Sequence, residues 1–303
     1  MSELRLGIVG LDTSHCIAFT RILNNPDQPD DDRVDGARVT HAWAAAPKPG
    51  EEATIAERSQ ELTERWGVRM VRRPASLVGK VDAVLLLSVD GSTHVSQARP
   101  LLGRDVPLFI DKPFTNSVAQ ARALVKLVRA SSSPVMSCSA LRYAEEVTAT
   151  RAEFATIGEP IGGCFCGPGT HRPGIPGSFF YGIHAAEMMQ AVMGAGVESV
   201  RNRHTEREDV VTVAFRDGRS SVLRFVRDCP EGFWFSVTCP GGRRLVSVDK
   251  GTFYVHMLRT IVGMIRTGAP GVPLDDTFEI VALLEACDKS GARNGAEVKL
   301  ARP

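Results

Sequence analysis

Residues 106–113 read Val-Pro-Leu-Phe-Ile-Asp-Lys-Pro, an apolar run that ends abruptly in an acid, a lysine and a proline. Pro113 has no backbone N–H and disfavours the helical conformation at Lys112, so a strand here cannot continue into a helix. In open α/β sheets, ligands bind at the carboxyl ends of the strands. Lys112 is therefore predicted to act on a ligand, as a proton donor or as a cation that holds a substrate oxygen. A surface lysine in a loop is the simpler alternative.

Strands and helices alternate on both sides of this run, through the first 140 residues. The predicted strands are 4–9, 37–44, 68–71, 81–87, 106–110 and 134–139, and the predicted helices are about 15–23, 51–66, 94–102 and 117–129. The continuous leucine and β-branched run at 81–87 is typical of a central parallel strand that is covered on both faces. The alternation predicts an α/β fold with a doubly wound parallel sheet.

The second half of the chain has a different pattern. Strands are predicted at 161–166, 210–215, 220–226, 234–239 and 244–248, and helices at about 183–193, 254–267 and 275–290. Turn pairs such as Asp217-Gly218 and Gly241-Gly242 predict antiparallel neighbours. At 303 residues the chain is long for a single core. We therefore expect an α/β domain over 1–137 and an α+β domain with a largely antiparallel open sheet over 138–303.

The composition favours a globular protein that handles small molecules. A formal net charge of +1 gives no electrostatic reason to expect nucleic acid or an anionic membrane as a partner. No apolar stretch approaches the roughly 20 residues of a membrane span. Residues 1–5 lack a signal-peptide pattern, so we expect the protein in the cytoplasm. The seven scattered cysteines are expected to be reduced thiols, most of them buried.

The segment after the first predicted strand has the position of a dinucleotide-binding turn. With Gly10 as the first glycine of the G-x-G-x-x-G fingerprint, Asp12 takes the second position and His15 the third. The second glycine normally lets the backbone approach a pyrophosphate, so Asp12 adds bulk and negative charge beside an anionic ligand. A helix N-terminus with the Thr13 and Ser14 hydroxyls can still bind an anion, although both residues are equally good N-caps.

The end of the second predicted strand bears on the choice between NAD and NADP. NAD sites usually place an Asp or Glu here, where it binds the ribose hydroxyls. This strand ends instead in Trp43 and three alanines, with Lys48 beyond them. A basic residue at this point favours a 2′-phosphate, but a single loop lysine leaves both cofactors open.

Taken together, the motifs resemble those of the Gfo/Idh/MocA oxidoreductase family, which includes glucose–fructose oxidoreductase and inositol dehydrogenase. In the first half of the chain, the similarity lies in the Gly7-x-x-Gly10 turn, in the loop 88–94 that ends in His94, and in Asp111-Lys112-Pro113, which corresponds to the family's Glu-Lys-Pro motif. In the second half it lies in the segment 140–143 and in Gly182-Ile183-His184, which corresponds to the tail of the family's Asp-x-Gly-x-His motif. The order and spacing of these motifs match over essentially the full length of the chain, including the last helix and a closing strand at 296–300.

The resemblance implies a Rossmann-type first domain that binds NAD or NADP, and a second domain that binds a small-molecule substrate and forms homodimers or homotetramers. It assigns Lys112 to orient or protonate the carbinol oxygen of the substrate, and His184 to act as the general acid/base or its partner. Hydride would pass between the nicotinamide and the substrate carbon. The residues expected at the cofactor are Gly10, Asp12, Thr13, Ser14, His15, Ser88, Asp90, His94, Asp111 and Lys112.

The chain departs from the family pattern just before His184. The family's aspartate falls on Phe180, so His184 lacks its carboxylate partner. Tyr181, Glu187 and His171 are candidates to replace it, and the sequence does not choose among them. His184 and Glu187 share a helix face, but no third ligand stands nearby, so no metal is expected. Further substrate contacts are expected from Arg142, His171, Arg172 and Tyr181.

The leading interpretation is an NAD(P)-dependent dehydrogenase that acts on the CH–OH group of a sugar, a polyol or a related alcohol or carbonyl compound. Two other classes remain open. One is a relative that uses NAD transiently in lyase or hydrolase chemistry. The other is a non-catalytic sensor of a sugar or nucleotide, which would be compatible with Asp12 at the second glycine position and Phe180 in place of the acid.

Overall fold

The computed structural model describes residues 2–227, 232–249 and 251–303 of the chain. The first sheet contains β1 (Leu4–Val9), β2 (Ala37–Trp43), β3 (Arg69–Met70), β4 (Ala83–Leu86), β5 (Leu108–Asp111) and β6 (Val135–Cys138). The helices that alternate with them are α1 (His15–Asn24), α2 (Glu52–Glu64), α3 (His94–Leu102) and α4 (Val118–Arg129). Each of these elements was predicted from the sequence, with bounds that differ by a few residues at most.

The strand order of the first sheet is β3-β2-β1-β4-β5-β6. Every pairing in it is parallel, which confirms the predicted doubly wound sheet. This is the strand order of the dinucleotide-binding α/β fold, in which the direction of winding reverses between β1 and β4. β4 and β5 are buried along their whole length, as central strands covered on both faces should be. The order therefore places the carboxyl ends of β1, β4 and β5 side by side.

The turn after β1 requires a glycine. Gly10 has a φ of +94°, a conformation that L side chains rarely adopt. A Cβ atom at this position would also lie 2.3 Å from the Ser88 Oγ. The Gly10 N–H donates a hydrogen bond of 2.9 Å to the Trp43 carbonyl. Because the loops after β1 and β4 approach so closely here, only glycine fits.

The second sheet contains β7 (Gly162–Pro168), β8 (Val197–His204), β9 (Glu208–Phe215), β10 (Ser220–Val226), β11 (Phe233–Cys239), β12 (Gly242–Val248) and β13 (Val298–Lys299). Their order across the sheet is β12-β11-β7-β10-β9-β8-β13. β7 and β10 run parallel, and the other described pairings are antiparallel. The predicted largely antiparallel sheet is thus confirmed.

The helices of the second half are α5 (Glu145–Ile157), α6 (Gly182–Met193), α7 (Phe253–Thr267) and α8 (Leu274–Gly291). α6 is apolar around most of its circumference, and this composition predicts a helix that is buried on all sides. The structure agrees, since every residue of α6 except His184 is buried. His184 is therefore the position at which this core helix reaches the surface of its unit.

The chain divides into two compact units. The first comprises residues 1–115, 122–138 and 254–274, and the second comprises residues 116–121, 139–253 and 275–303. The expected division at 137/138 differs from this in one main respect, because residues 254–274 pack with the first unit rather than the second. The first unit therefore contains most of α7 as well as the parallel sheet.

Two elements of the second unit had no predicted counterpart, α5 and β8. α5 buries only Val147, Thr150 and Ile157, so its sequence shows no clear 3.6-residue apolar period. β8 buries two polar residues, Ser199 and Asn202, which obscures the alternation expected of a strand. The pattern is therefore weak in α5 because few of its residues are buried, and in β8 because polar side chains occupy inward positions.

No helix in the described residues is long and apolar enough to cross a membrane. The six described cysteines are free thiols, and all but Cys164 are buried. Burial raises the pKa of the Cys16 thiol to about 12, although the nearby Arg58 opposes the shift. Cys229, the seventh, lies outside the described residues. These cysteines show no sign of a reactive thiolate.

Candidate active site

Asp111 and Lys112 lie at the carboxyl edge of the first sheet. Asp111 is the last residue of β5, and Lys112 follows it with a cis peptide bond to Pro113. Asp111 is buried, whereas Lys112 is half-buried. The structure thus places the predicted lysine where ligands bind in folds of this kind.

Asp111 takes part in a chain of hydrogen bonds that the sequence did not predict. The His15 Nδ1 lies 2.6 Å from the Asp111 Oδ2. On the other side of the imidazole, the Nε2 lies 2.9 Å from the hydroxyl oxygen of Tyr254. His15 is the first residue of α1 and Tyr254 belongs to α7, so the chain connects three elements of the first unit. It is a carboxylate–imidazole–phenol arrangement.

The Asp111 carboxyl is held in its ionised form. Burial by itself opposes ionisation, but the charge of His15 and its hydrogen bond outweigh burial and lower the pKa of Asp111. Lys112 adds to this shift through its charge and through its backbone N–H, which donates to the same carboxylate. Asp111 therefore contacts both the imidazole and the backbone of the predicted active-site lysine.

Aromatic rings enclose the imidazole of His15. The Phe19 ring stacks on it with centroids 5.1 Å apart, and the Tyr254 ring meets it edge-on at 5.2 Å. Only 14% of the His15 side chain is exposed, and 5% of the Asp111 side chain. Hydrogen bonds in such a dry environment are electrostatically stronger than in water.

Asp12, at the second fingerprint position, connects the loops after β1 and β4. Its Oδ2 accepts a hydrogen bond of 3.0 Å from the Val89 N–H. Its Oδ1 is buried and has no hydrogen-bond partner among the described residues, and the same holds for the Ser88 Oγ. Burial raises the pKa of Asp12, against the effect of the Val89 hydrogen bond. Two polar atoms at this switch point thus lack partners.

The N-terminus of α1 offers hydroxyl groups beside these atoms. The Thr13 Oγ1 accepts a hydrogen bond of 3.2 Å from the His15 N–H, and Thr13 is buried. Ser14 precedes the helix, is exposed, and makes no side-chain capping bond. Of the two N-cap interpretations, the structure therefore supports the one for Thr13, whereas the Ser14 hydroxyl remains available to a ligand.

Lys48 and Asp90 form an ion pair beside the same edge. The Lys48 Nζ lies 2.6 Å from the Asp90 Oδ2, while the Asp90 Oδ1 caps a short turn by accepting the Ser92 N–H. Burial opposes the ionisation of Asp90, but Lys48 and Ser92 outweigh it and lower the pKa of this carboxyl. The loop lysine is thus balanced by a carboxylate.

His94, one of the residues expected at the cofactor, is fully buried. Its two ring nitrogens face the carbonyl oxygens of Ser88, at 2.7 Å, and Phe114, at 3.1 Å. Burial lowers the pKa of His94, although both carbonyl contacts oppose the shift. His94 therefore ties the loop after β4 to the segment after Lys112 instead of facing a ligand.

In the second unit, His184 has a hydroxyl partner. Its Nδ1 lies 2.7 Å from the Ser139 Oγ. The ring of Tyr181 meets the imidazole edge-on, with centroids 5.2 Å apart. Phe180 occupies the position of the expected carboxylate, and its own ring packs against Tyr181. Of the three replacement candidates, Tyr181 contacts His184 through its ring.

Glu187 instead pairs with Arg142. The Arg142 Nη1 donates to the Glu187 Oε2 at 2.8 Å and to the Gln190 Oε1 at 2.9 Å. Burial raises the pKa of Glu187, although the Arg142 charge opposes the shift. The Arg142 side chain is only 12% exposed. Arg142 and Glu187 thus form a buried ion pair within the second unit.

His171 and Arg172, the remaining substrate candidates, lie in the loop between β7 and α6. The His171 Nε2 is 3.3 Å from the Arg227 Nη2, in a group of charged residues that includes Asp209. The Arg172 guanidinium lies over the Phe180 ring, 5.5 Å from its centroid. The structure therefore places these two neighbours in different surroundings.

Sequence reasoning missed two residues of these arrangements, Tyr254 and Ser139. Tyr254 is 239 residues from His15, and no local motif marks it. Ser139 follows β6 directly, so its position at a strand end was a usable signal. Among the described residues, no group of three or more His, Cys, Asp or Glu side chains is placed to hold a metal ion.

Residues 49–138 match the model of a family described as "Oxidoreductase family, NAD-binding Rossmann fold", Gfo/Idh/MocA. The matched segment begins after the fingerprint turn and includes Asp111, Lys112 and Pro113. The predicted resemblance to this family is thereby confirmed. No curated protein matches the chain in sequence.

Solved structures of dehydrogenases share the fold over the full length. Myo-inositol 2-dehydrogenase from Lactobacillus plantarum is 15% identical, with a TM-score of 0.82, 99% of this chain covered and 100% of that one. Scyllo-inositol dehydrogenase from Lactobacillus casei, solved with NAD(H) and scyllo-inositol, is 13% identical, with a TM-score of 0.80 and coverage of 98% and 99%. An oxidoreductase from Agrobacterium radiobacter, solved with NAD+, L-tartaric acid and magnesium, is 16% identical, with a TM-score of 0.79 and 98% of each chain covered.

Structural similarity at 13–16% identity shows that the fold is shared. The family model adds a match in sequence, which is confined to residues 49–138. Residues 49–138 match the NAD-binding Rossmann domain of the Gfo/Idh/MocA oxidoreductase family, and the chain as a whole has the fold of the dehydrogenase structures named above.

Proposed function

We propose that the protein is an NAD-dependent dehydrogenase that acts on the CH–OH group of a polyol, a sugar or a related hydroxy compound. The observation that carries this proposal is Lys112 at the carboxyl end of β5, with the ionised Asp111 behind it, in a sheet of dinucleotide-binding topology. Structures with the same fold contain an inositol in one case and tartaric acid in another. Both are compounds with hydroxyl-bearing carbons.

The residues at the switch point fit a dinucleotide with one adjustment. The N-terminus of α1, the Ser14 hydroxyl and the unpartnered Ser88 Oγ are donors suited to phosphate oxygens. Asp12 fits such a ligand in its protonated form, in which the unpartnered Oδ1 donates a hydrogen bond instead of repelling an anion. Burial raises the pKa of Asp12, and this shift favours the protonated form that would donate a hydrogen bond to the dinucleotide.

The Lys48–Asp90 pair supports NAD rather than NADP. A 2′-phosphate is best bound by a cation without a competing anion, and here Asp90 already pairs with the Lys48 ammonium. The Asp90 carboxylate is itself suited to accept hydrogen bonds from ribose hydroxyls, the role that an acid normally takes at the end of β2. NAD(H) is also the cofactor bound in the scyllo-inositol dehydrogenase structure.

Each proposed catalytic residue has a distinct task. When bound, the nicotinamide accepts or returns the hydride. Lys112 holds the carbinol oxygen of the substrate and stabilises negative charge on it as the O–H proton leaves. His184 lies at the start of α6, where the Ser139 hydroxyl fixes its Nδ1, and it is proposed to act as a general acid/base on the substrate. Arg142, Arg172, Tyr181 and His171 are proposed as substrate contacts.

We further propose a homodimer or homotetramer in the cytoplasm. Leu245 on β12 is 79% exposed and Ile161, just before β7, is 53% exposed. Large apolar side chains exposed on the second sheet favour its burial against another copy. The free thiols of the described cysteines agree with a reducing compartment. Sedimentation of the purified protein measures the oligomeric state.

Fluorescence titration with NADH and with NADPH tests the cofactor assignment. NADH is expected to bind more tightly than NADPH, and a panel of inositols, sugars and hydroxy acids with NAD+ is then expected to yield NADH. If neither nucleotide binds at millimolar concentration, the enzyme proposal is wrong. Binding without reduction of NAD+ by any compound of the panel would favour a lyase or a sensor.

A further inference from the structure

We propose that the Tyr254 hydroxyl exchanges the substrate proton, with His15 as its proton acceptor and Asp111 as the carboxylate that orients and stabilises His15. This inference rests on the proposed dehydrogenase function, since it assigns the proton step of that reaction. The three residues lie in the first unit, at the carboxyl edge of the parallel sheet and directly beside Lys112.

The direction of the hydrogen bonds follows from chemistry. An ionised carboxylate can only accept hydrogen bonds, so the His15 Nδ1, 2.6 Å from the Asp111 Oδ2, must carry the proton. When the imidazole is neutral, Nε2 is the acceptor, and the charged imidazole that lowers the pKa of Asp111 is the form that has taken up the proton. The Tyr254 hydroxyl, 2.9 Å away, donates to Nε2. The imidazole is thus ready to take a proton from the phenol, and no ring rotation is needed.

This geometry is that of an activated hydroxyl group. A hydroxyl within hydrogen-bond reach of a base, which a third group in turn orients, is the arrangement that enzymes use to make a weak acid reactive. Tyr254 supplies the hydroxyl, His15 the base and Asp111 the orienting carboxylate. Phe19 stacks on the imidazole and restricts water, so that the imidazole is confined to these partners.

The proton step is balanced. The substrate O–H proton passes to the Tyr254 oxygen, while the Tyr254 O–H proton passes to the His15 Nε2. The hydride from the same substrate carbon goes to the nicotinamide, as the proposed reaction requires. The products on the protein are a neutral phenol and an imidazolium next to the Asp111 carboxylate, and the reverse reaction returns the proton along the same path.

The arrangement also couples the proton step to Lys112. The Asp111 carboxylate accepts the backbone N–H of Lys112 while it holds His15. The group that stabilises the imidazolium therefore also positions the residue proposed to hold the substrate oxygen. In the second unit, by contrast, Phe180 replaces the expected acid and His184 bonds a neutral hydroxyl.

The competing explanation is that the three side chains only pack α7 against α1. Nitrogen NMR of the unliganded protein with 15N-labelled histidine separates the two without any substrate. Wild type is expected to show His15 protonated at Nδ1, with a strongly deshielded proton that is lost in Asp111→Asn. The Nε2 signal is expected to move in Tyr254→Phe. A proton on Nε2 in wild type would overturn the proposal, because Nε2 could not then accept one.

Kinetics then test the role in turnover. Tyr254→Phe keeps the ring and removes the hydroxyl, so kcat is expected to fall about 10²-fold or more, with little change in KM or in Tm. His15→Gln is expected to lower kcat similarly, whereas the matched control His41→Gln, a part-buried histidine of β2, leaves it unchanged. Unchanged kcat in Tyr254→Phe, or a fall in Tm that accounts for the lost activity, overturns the proposal.

The two proposals fail in distinguishable ways. If wild type converts no compound of the panel, the dehydrogenase function is wrong, and the relay is judged by the NMR experiment alone. In that case the predicted tautomer, together with its response to Asp111→Asn and Tyr254→Phe, supports a proton-exchanging triad in another reaction. If wild type turns over and either the tautomer or the kinetics differ from expectation, only the relay is wrong.

Discussion

Each unit of this protein places a histidine of the candidate site in the first turn of a helix, but these two histidines, His15 and His184, have different partners. His15 begins α1 and bonds the buried carboxylate of Asp111 at 2.6 Å. His184 lies in the first turn of α6 and bonds the hydroxyl of Ser139 at 2.7 Å. A carboxylate both fixes the tautomer and stabilises a positive imidazolium, whereas a neutral hydroxyl mainly fixes the orientation. The proposed relay accordingly uses the histidine that bonds a carboxylate.

Lys112→Ala tests the first unit most directly. Because its ammonium is proposed to hold the reacting oxygen, turnover is expected to fall about 10³-fold or more, in line with the loss of a main electrostatic group. Lys126→Ala, at an exposed position of α4, is the matched control and should retain full activity. Steady-state rates of NADH formation measure both variants. Wild-type activity in Lys112→Ala would exclude the first-unit edge as the reaction centre.

Removing the hydrogen-bond partner of each histidine in a separate variant tests the comparison between His15 and His184. Asp111→Asn removes a charged hydrogen bond worth about 1.5–3 kcal/mol, so kcat/KM is expected to fall by about 10- to 150-fold. Ser139→Ala removes a neutral one worth about 0.5–1.5 kcal/mol, and a fall of about tenfold at most is expected. A larger loss of kcat/KM in Ser139→Ala would assign the more important histidine to the second unit. Equal losses in the two variants would contradict the expected difference between the histidines.

The carboxylates of the two units also differ in how pH affects their contribution to stability. In the second unit, burial raises the pKa of Asp288 to about 6, although the Ser178 N–H opposes the shift. A folded-state pKa above the unfolded value means that stability is lost as pH rises from about 4 through 6. Asp288→Asn should therefore resist urea better than wild type at pH 7, by up to about 3 kcal/mol.

Urea denaturation at pH 4 and pH 7 measures this difference, which should close at pH 4. Asp27→Asn, at an exposed position, is the control and should show no gain at either pH. The sign is reversed at Asp111, whose pKa is lowered, so its stabilisation is present above the unfolded value and is lost as pH falls. Destabilisation of Asp288→Asn at pH 7 would contradict the assignment.

The smallest expected effect concerns Asp12. In Asp12→Asn the amide keeps an acceptor for the Val89 N–H and offers a permanent donor where wild type needs a proton. NADH affinity of wild type is expected to fall as pH rises above the ordinary range of a carboxyl group, because Asp12 ionises, whereas the variant stays constant and binds a few-fold more tightly once wild type is ionised. Fluorescence titrations that start near the ordinary pKa of a carboxyl group and continue to neutral pH measure this. Weaker binding by Asp12→Asn at every pH would mean that the carboxylate itself binds the cofactor.

Local sequence determined what could be predicted of the fold. β1, β4 and β5 were predictable because continuous apolar runs ended in breakers, and Lys112 because a proline followed it. α5 and β8 were not, since α5 buries only three of its residues and polar side chains occupy inward positions of β8. Residues 254–274 group with the first compact unit, although the expected second domain included them, because a helix sequence does not indicate which core it packs against.

The sequence predicted individual residues of the candidate site, but it did not predict which of them contact one another. His15 and Asp111 were both named as cofactor residues, yet the 2.6 Å contact between them spans 96 positions of sequence. Strand order contains the missing information, because β1, β4 and β5 are neighbours and their carboxyl ends must meet. Tyr254 had no such signal, since nothing in its own helix marks a partner in α1.

The return of residues 254–274 to the first unit has a consequence for biosynthesis. A ribosome completes β6 when 138 residues have been made, but the segment that bears Tyr254 is made more than a hundred residues later. Until then the imidazole of His15 lacks its phenol partner and α1 lacks the cover of α7. The nascent amino-terminal unit therefore exposes an apolar surface throughout synthesis of the second unit, and it is during this interval that a chaperone would be needed.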